Sequence, residues 1–316
     1  MNIINKKNNG LTNNAIKIPK IKLSRLISTC ISLAHQAGNE IRKVHSQTNY
    51  KIREKGTPQK SSFDDPQTEA DIRAQYIIQN SLNILYPSLK VIGEEGLTKP
   101  FEKPPCFVPP RNDIFSAKIE EEMSVKNIVV WVDPLDGTSE FIKGNVSAVT
   151  VLIGISFFGK PIAGVIAQPF SDLKNGEFLM IWGVNTAKQK IVSSNFGNVV
   201  DTRKKANLDN LLITKSHLDD EYRTYLRGLG KRELIKMGGC GSKMISLLKK
   251  EANGYVFPIQ GTKKWDTCAP QAILEAAGGI FTKPNGENIE YSDENVENEE
   301  GFIATLDGEH AQFVKK

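Results

Sequence analysis

Two aspartates three residues apart follow an apolar run near the middle of the chain, and their spacing is suited to metal chemistry. The run, residues 128–132, is predicted to be a buried strand, and the proline and glycine that follow it turn the chain sharply. Asp133 and Asp136 then project from one turn, with the carbonyl of Leu135 between them. Hard oxygen donors of this kind are the ligands that Mg²⁺ prefers in proteins.

The next two residues of this segment predict a phosphate site beside the metal site. The backbone N–H groups of Gly137 and Thr138 lie where a helix is predicted to begin, and such groups face an anion favourably. Two divalent ions about 3.5–4 Å apart can polarise a phosphoryl oxygen, activate a water and stabilise a leaving alkoxide. We call residues 133–138 the aspartate turn.

Three further segments, residues 65–71, 92–96 and 265–270, carry acidic residues in flanks that fit the same chemistry. Together with the aspartate turn they resemble the magnesium-dependent, lithium-sensitive phosphatases of the inositol monophosphatase superfamily. The resemblance extends over nearly all of the chain from about residue 23 to residue 306. Three other segments are similar to the bisphosphate nucleotidase branch of that superfamily, namely residues 149–170, 238–243 and 255–279.

The resemblance implies that two or three Mg²⁺ ions are bound by Glu94, Asp133, the carbonyl of Leu135, Asp136 and Asp266. Asp133 would bridge two ions, Glu94 and Leu135 would complete the first, and Asp136 and Asp266 would hold the second. A third, weaker ion is implied near Glu94. Taken singly, each of these acids has the alternative interpretation of a helix cap or a turn residue.

A general base must take the proton of the attacking water, and a threonine hydroxyl can relay that proton to a carboxylate. The resemblance implies that Asp65 and Thr138 form this pair. Thr68 and Asp71 have a structural explanation, because Thr-x-x-Asp before an apolar helical pattern is close to a capping box. We therefore expect Asp71 to contribute to stability.

Two segments in the second half of the chain, residues 214–217 and 238–243, are predicted to recognise the substrate, and we call them the recognition segments. The first offers two hydroxyls, an imidazole and an ammonium group after an apolar strand. The second is a glycine-rich turn that suits an anion, although a turn that merely joins a strand to a helix has the same pattern. The predicted substrate contacts are Gly137, Thr138, Thr214, Ser216, His217, Gly239, Lys243 and Asp266, of which Thr214, His217, Gly239 and Lys243 match nucleotide contacts of the branch. Lys215 stands where an arginine is common in that branch, which weakens bidentate phosphate contact.

Strands alternating with helices predict a mixed α+β or α/β fold. The resemblance implies a layered αβαβα sugar-phosphatase-type fold of two sub-domains with the metal site between them. We expect a disordered extension over residues 1–22, a metal-binding sub-domain over 23–185 and a substrate-recognition sub-domain over 186–316. A proline-rich insertion over residues 99–127 is either a mobile flap near the site or a solvated excursion without a role.

The chain has 316 residues and a formal net charge of +5, but the charge is unevenly distributed. Residues 1–39 hold six basic residues and no acid, which leaves the remainder close to neutral, so no nucleic-acid partner is expected. The four cysteines are widely scattered and predict a reducing compartment, and no apolar run is long enough to span a membrane. We expect a cytoplasmic protein, either a monomer or a dimer.

The predicted reaction is removal of the 3′-phosphate of adenosine 3′,5′-bisphosphate, or of its 5′-phosphosulfate analogue, by direct attack of water. The resemblance also implies inhibition by lithium. Because the metal motifs do not distinguish related substrates, an inositol polyphosphate 1-phosphatase or an inositol monophosphatase is the alternative. A nucleotide sensor without turnover is a more remote one.

Overall fold

The computed structural model describes residues 19–47, 52–54, 66–96, 121–171, 176–195, 197, 209–216, 218–306 and 309–315. The helices in this part of the chain are α1 (Leu23–His45), α2 (Glu69–Leu85), α3 (Thr138–Ile142), α4 (Asp220–Gly228), α5 (Cys240–Leu248) and α6 (Lys264–Ala276). The strands of the first half are β1 (Lys20–Lys22), β2 (Ile52–Glu54), β3 (Pro66–Thr68), β4 (Lys90–Gly93), β5 (Glu122–Ser124), β6 (Ile128–Asp136), β7 (Thr150–Phe157) and β8 (Lys160–Gln168). Those of the second half are β9 (Leu179–Asn185), β10 (Lys190–Ser194), β11 (Asn210–Thr214), β12 (Glu233–Met237), β13 (Gly254–Phe257), β14 (Thr262–Lys263), β15 (Ile280–Thr282), β16 (Glu297–Asn298) and β17 (Phe302–Thr305).

Two large sheets alternate with helices to give five layers. The first sheet has the order β10-β9-β8-β7-β6-β4, and α1 and α2 pack on one of its faces. Helix α6 packs on β7, β8 and β9 from the opposite face and also contacts α5 and β15 of the second half. The second sheet has the order β12-β11-β13-β17-β15, and α4 packs against β13 through Tyr222. This arrangement confirms the predicted layered fold.

The central strands of the first sheet are apolar on both faces because both faces are covered. In β6, Val130 and Val132 pack in the core under α1 and α2, whereas Trp131 packs in the core shared with the second sheet. In β7, Ile153 and Leu152 divide between the same two cores. Since side chains alternate along a strand, a strand buried on both faces is a continuous apolar run in sequence.

A row of three glycines lets α6 lie directly on the first sheet. Gly154 is paired with Gly164, and Gly164 with Gly183, so the row crosses β7, β8 and β9. A Cβ atom on Gly164 would lie 2.5 Å from the carbonyl oxygen and 2.7 Å from the Cα of Ala269 in α6. These are backbone atoms, so a side chain there would force the helix away from the sheet.

Replacing Gly164 with alanine is therefore expected to lower the free energy of unfolding by about 1–3 kcal/mol, as overpacking of a core does. The matched control is Gly228→Ala, at the exposed end of α4, where an added Cβ meets nothing within 4 Å. That variant should be neutral or slightly stabilising, because alanine favours a helix. Urea unfolding of both variants measures the difference, and equal free energies would contradict the proposed close packing.

Several predicted bounds change in the structure. The apolar pattern over residues 69–85 predicts a helix, and α2 has these bounds. The sequence also predicts a helix over residues 270–277, but α6 begins earlier, at Lys264, and contains Pro270. Residues 20–22 form β1, paired with β5, because Ile21 and Met123 lie opposite each other and are buried. The predicted extension over 1–22 and the predicted loop over 99–127 are therefore too wide. Residues 1–18 of the extension and 99–120 of the loop lie outside the described part.

The predicted boundary between the sub-domains, near residue 185, falls close to the end of the first sheet. Strand β10, which ends at Ser194, still belongs to that sheet. The division into two sub-domains stays a prediction, since α6 from the second half packs on the first sheet. Within the described residues, no helix is long and apolar enough to cross a membrane.

Candidate active site

A bulge at the end of β6 brings the two aspartates of the aspartate turn to one side. Asp133 lies opposite Leu152 of β7, and Asp136 lies opposite Thr150. Three residues along β6 therefore match two along β7. In a regular strand, residues three apart point to opposite faces, and one extra residue cancels that difference. Both carboxylates are buried, and the turn ends at Gly137, whose φ is +89°.

The neighbouring strand and α6 bring two more carboxylates to this point. Strand β4 runs parallel to β6, and the N–H of Glu94 donates to the carbonyl of Val132 at 3.0 Å, which places Glu94 beside Asp133. Asp266 lies in the first turn of α6, where its carboxylate accepts the N–H of Lys263 at 2.7 Å. The structure thus brings together four of the predicted ligands from three separate segments.

The four acids affect one another's protonation strongly. Burial raises the pKa of Asp133 well above its usual value, and the charges of Glu94, Asp136 and Asp266 raise it further. Burial and then the charge of Glu94 raise the pKa of Asp266 to about 8, although the N–H of Lys263 opposes the shift. A cluster of buried carboxylates that repel one another in this way suits a divalent cation, and its oxygen donors suit Mg²⁺.

The carboxylate of Asp136 is held by donors of the protein. The N–H groups of Cys240 and Gly241, at the beginning of α5, donate to Asp136 at 2.8 and 2.7 Å, and the hydroxyl of Thr150 donates at 2.7 Å. Accordingly, in the described part of the chain no three acidic, histidine or cysteine side chains converge as ligands on one point. The donor set fits Mg²⁺ by its chemistry and its charge.

The glycine-rich turn of residues 238–243 was predicted to bind a substrate phosphate. In the structure its N–H groups instead bind the carboxylate of Asp136. A side chain on Gly241 would collide with the hydroxyl of Thr150, so the glycine allows α5 to approach the aspartate turn. The sequence did not indicate Thr150, because no sequence pattern links the start of β7 to the beginning of α5, which lies about ninety positions later. Contact of Gly239 with a substrate stays a prediction.

Lys243 is turned into the protein. Its side chain is buried, and its ammonium group donates to the carbonyls of Gly239 at 2.5 Å and Met237 at 3.2 Å. The ammonium group also lies 5.0 Å from the centre of the Tyr255 ring. Burial lowers the pKa of Lys243, and the charge of Asp136 is among the influences that oppose this. Lys243 therefore supports the turn in this structure, and its contact with a phosphate stays a prediction.

The first recognition segment lies at the end of β11. Thr214 is buried, its hydroxyl oxygen lies 3.4 Å from that of Ser216, and it accepts the N–H of Ser216 at 3.3 Å. Lys215 forms an ion pair with Glu140 of α3 at 2.9 Å. His217 lies outside the described residues. Sequence reasoning did not identify Glu140, although it stands only two residues after the aspartate turn.

Thr138 is hydrogen-bonded to a carboxylate other than the predicted one. Its hydroxyl lies 3.0 Å from Asp71 Oδ1 and 3.0 Å from the carbonyl of Leu135. Asp71 also accepts the N–H of Thr68 at 2.8 Å and the hydroxyl of Thr68, so the predicted capping box is confirmed. Asp65 lies outside the described residues. The interpretation of Asp71 as only structural is therefore too narrow.

Asp71 is completely buried, and its environment makes it a strong proton acceptor. Burial raises its pKa to about 7, the hydrogen bond from Thr68 opposes the shift, and the charges of Glu95 and Glu94 add to it. A group with a pKa near neutrality is suited to general base catalysis. The capping-box pattern places Asp71 at the N-terminus of a helix, but its contact with the aspartate turn arises only in the folded protein.

Metal binding is expected to stabilise the protein more at pH 8 than at pH 5. The pKa of Asp266 rises from 3.8 unfolded to about 8 folded, so its contribution to stability is complete below about pH 4 and lost as the pH rises towards 8. Mg²⁺ competes with the protons at low pH and compensates the carboxylates at high pH. Differential scanning fluorimetry with millimolar Mg²⁺ measures the shift in Tm at both values. Equal shifts would contradict binding at these acids, and Asp266→Asn should reduce the difference.

Comparison with known proteins places the chain among phosphatases. Residues 22–315 match the model of the inositol monophosphatase family. The 3′(2′),5′-bisphosphate nucleotidase 1 of Dictyostelium discoideum is 34% identical, over 93% of this chain and 96% of that protein. The protein of the same name from Homo sapiens is 36% identical, over 90% and 91%. The crystal structure of CysQ from Bacteroides thetaiotaomicron, a bacterial member of the inositol monophosphatase family, gives a TM-score of 0.62 at 25% identity and covers 90% of this chain and 98% of that one.

Proposed function

Because the chain belongs to the inositol monophosphatase family, we propose that it removes the 3′-phosphate of adenosine 3′,5′-bisphosphate in a Mg²⁺-dependent reaction. The observation that carries this proposal is the cluster of four carboxylates, of which Asp133 and Asp136 are buried, beside the hydrogen-bonded pair of Thr138 and Asp71. The relatives named bisphosphate nucleotidases support the choice of a nucleotide substrate. The 5′-phosphosulfate analogue is included in the proposal.

The predicted ligands fit the metal by the chemistry of their oxygen donors and by their charge. Mg²⁺ would be held by Glu94, Asp133, the carbonyl of Leu135, Asp136 and Asp266, and it would supply charge compensation and polarisation of the phosphoryl group. The bulge in β6, the end of β4 and the first turn of α6 carry these carboxylates and support this assignment. Two or three ions stay the predicted number.

We assign the role predicted for Asp65 to Asp71. When Asp71 is ionised, the hydroxyl hydrogen of Thr138 points to Asp71 Oδ1, and the Thr138 oxygen keeps a lone pair for a hydrogen of the attacking water. The proton of the water then has a short route through Thr138 to Asp71. Thr68 holds the second oxygen of Asp71 and so fixes the orientation of the acceptor.

The remaining substrate contacts are proposed from the sequence. The N–H groups of Gly137 and Thr138 begin α3 and are assigned to the reacting phosphate, whereas Thr214, Ser216 and His217 are assigned to the nucleotide. Lithium inhibition, a cytoplasmic location and the choice between a monomer and a dimer stay predictions.

Phosphate release tests the proposal directly. The purified full-length protein is assayed with adenosine 3′,5′-bisphosphate, inositol 1,4-bisphosphate and inositol 1-phosphate, each with and without Mg²⁺. Rapid release from the nucleotide that requires Mg²⁺ and is suppressed by lithium is the expected result. Preference for an inositol phosphate would leave the metal chemistry but overturn the substrate, and no release from any of the three would favour a sensor.

A further inference from the structure

A buried carboxylate connects the aspartate turn with the first recognition segment. Glu140 lies in α3, two residues after the turn, and its side chain is only 8% exposed. The ammonium group of Lys215, directly after β11, donates to Glu140 Oε2 at 2.9 Å. The side-chain amide of Asn145 donates to the same oxygen at 3.2 Å.

The second recognition segment meets the same side chain. A Cβ atom on Gly238 would overlap the Cγ atom of Glu140, so the chain after β12 can pass there only as glycine. Three parts of the site, α3 and both recognition segments, are therefore in contact at Glu140.

Lys215 keeps the carboxylate of Glu140 in its charged form. Burial raises the pKa of Glu140, but the hydrogen bond and the charge of Lys215 outweigh it and hold the pKa below its usual value. Glu140 is therefore ionised at neutral pH. The charge of Lys215 is neutralised within the protein, although its side chain is 44% exposed. A lysine engaged in this way is poorly suited to serve as the main cation for a phosphate.

We propose that Glu140 and Lys215 are a positioning pair that fixes the first recognition segment relative to the aspartate turn and so favours substrates that span both, such as nucleoside bisphosphates. The inference rests on the proposed function. Lys215 acts through its neighbours, because Thr214 and Ser216 are hydrogen-bonded to each other on either side of it. A small phosphate ester reaches only the aspartate turn. Its hydrolysis should therefore not depend on the distance between the aspartate turn and the first recognition segment.

The test is a double-mutant cycle with two substrates. Lys215→Met, Glu140→Gln and the double variant are assayed with adenosine 3′,5′-bisphosphate and with p-nitrophenyl phosphate, a small ester. Each single variant should raise KM for the nucleotide about tenfold with kcat nearly unchanged, and the double variant should do no more than either. Lys215→Arg should restore the wild-type KM. The matched control is Lys236→Met, an exposed lysine on the neighbouring strand β12, which should behave as wild type.

The other outcomes would contradict the proposed positioning role of Glu140 and Lys215. An effect of Lys215→Met without an effect of Glu140→Gln would show that Lys215 contacts the phosphate directly. Equal losses with both substrates, or a lowered Tm with an unchanged KM, would show that the pair is only structural. Wild-type protein that hydrolyses the small ester but not the nucleotide would overturn the proposed substrate, and the inference with it, before any variant is compared.

Discussion

Replacing Asp133 with asparagine is expected to lower kcat/KM by about 10³-fold or more and, at the same time, to stabilise the protein without Mg²⁺ at pH 8. The loss follows because Asp133, which lies close to the charges of Glu94, Asp136 and Asp266, is one of the residues that would hold the metal. Charge stabilisation of about 4 kcal/mol corresponds to a factor of about 10³ in rate.

The gain in stability follows from the sign of the pKa shift. The pKa of Asp133 is raised in the folded state, so its contribution to stability is complete below the unfolded pKa of 3.8 and is lost as the pH rises. Asparagine keeps the shape of the side chain but carries no charge. Chemical unfolding at pH 8 without metal should therefore give a larger free energy of unfolding for Asp133→Asn than for wild type.

The matched control is Asp220→Asn, an exposed aspartate in the first turn of α4 on the outer layer of the molecule. It should keep full activity and lose at most the small contribution of a first-turn acid. Asp133→Asn should also lose most of the Mg²⁺-dependent shift in Tm. Retained activity together with a retained shift would remove Asp133 from the metal site.

Replacing Asp71 with asparagine is expected to lower kcat by about 10²–10⁴-fold, the range of general base catalysis, while Mg²⁺ still stabilises the protein. Asparagine can accept a hydrogen bond from Thr138 but cannot accept the proton. Thr138→Val should show a loss of the same order, because the route from water to Asp71 passes through the hydroxyl. The two losses should not add when the substitutions are combined.

Asp65→Asn is the decisive comparison, since the sequence pattern favoured Asp65 as the partner of Thr138. Single-turnover kinetics of Asp65→Asn and Asp71→Asn, with Mg²⁺ shifts in Tm as the binding readout, separate the two assignments. A large loss in Asp71→Asn alone would support the arrangement around Thr138. A large loss in Asp65→Asn with normal turnover of Asp71→Asn would restore the assignment made from the sequence.

The carboxylate of Asp136 has a second role in this site, because it connects the two halves of the molecule. It belongs to β6 of the first sheet but accepts two N–H groups at the beginning of α5. Glu140 makes a similar connection to β11 through Lys215. The aspartate turn thus holds the second half of the chain in place through charged hydrogen bonds, which are stronger than neutral ones.

The local elements of this protein could be predicted from its sequence because their causes are local. Helix α2 follows from a capping box and a helical apolar pattern. The apolar run over residues 128–132 correctly predicts a strand, but β6 continues through Pro134 to Asp136 and the chain turns only at Gly137. The family and the layered fold were also predicted, since four ordered motifs in matching flanks are specific. The beginning of α6 differs from the prediction, because proline favours the first position of a helix, whereas Pro270 lies inside α6 and tertiary packing overrides that preference.

By itself the sequence determined which residue types are available and in what order: four acids for a metal, a threonine for a proton and glycine turns for close approach. Only the tertiary structure decided which of them meet. Asp71 contacts Thr138, Asp136 holds α5, and Lys215 is paired with Glu140. The physical reason is that these contacts join residues 67 to 104 positions apart, whose separation depends on how two sheets and α6 pack. Sequence spacing carries no information about such distances, whereas burial and charge in the folded protein fix them.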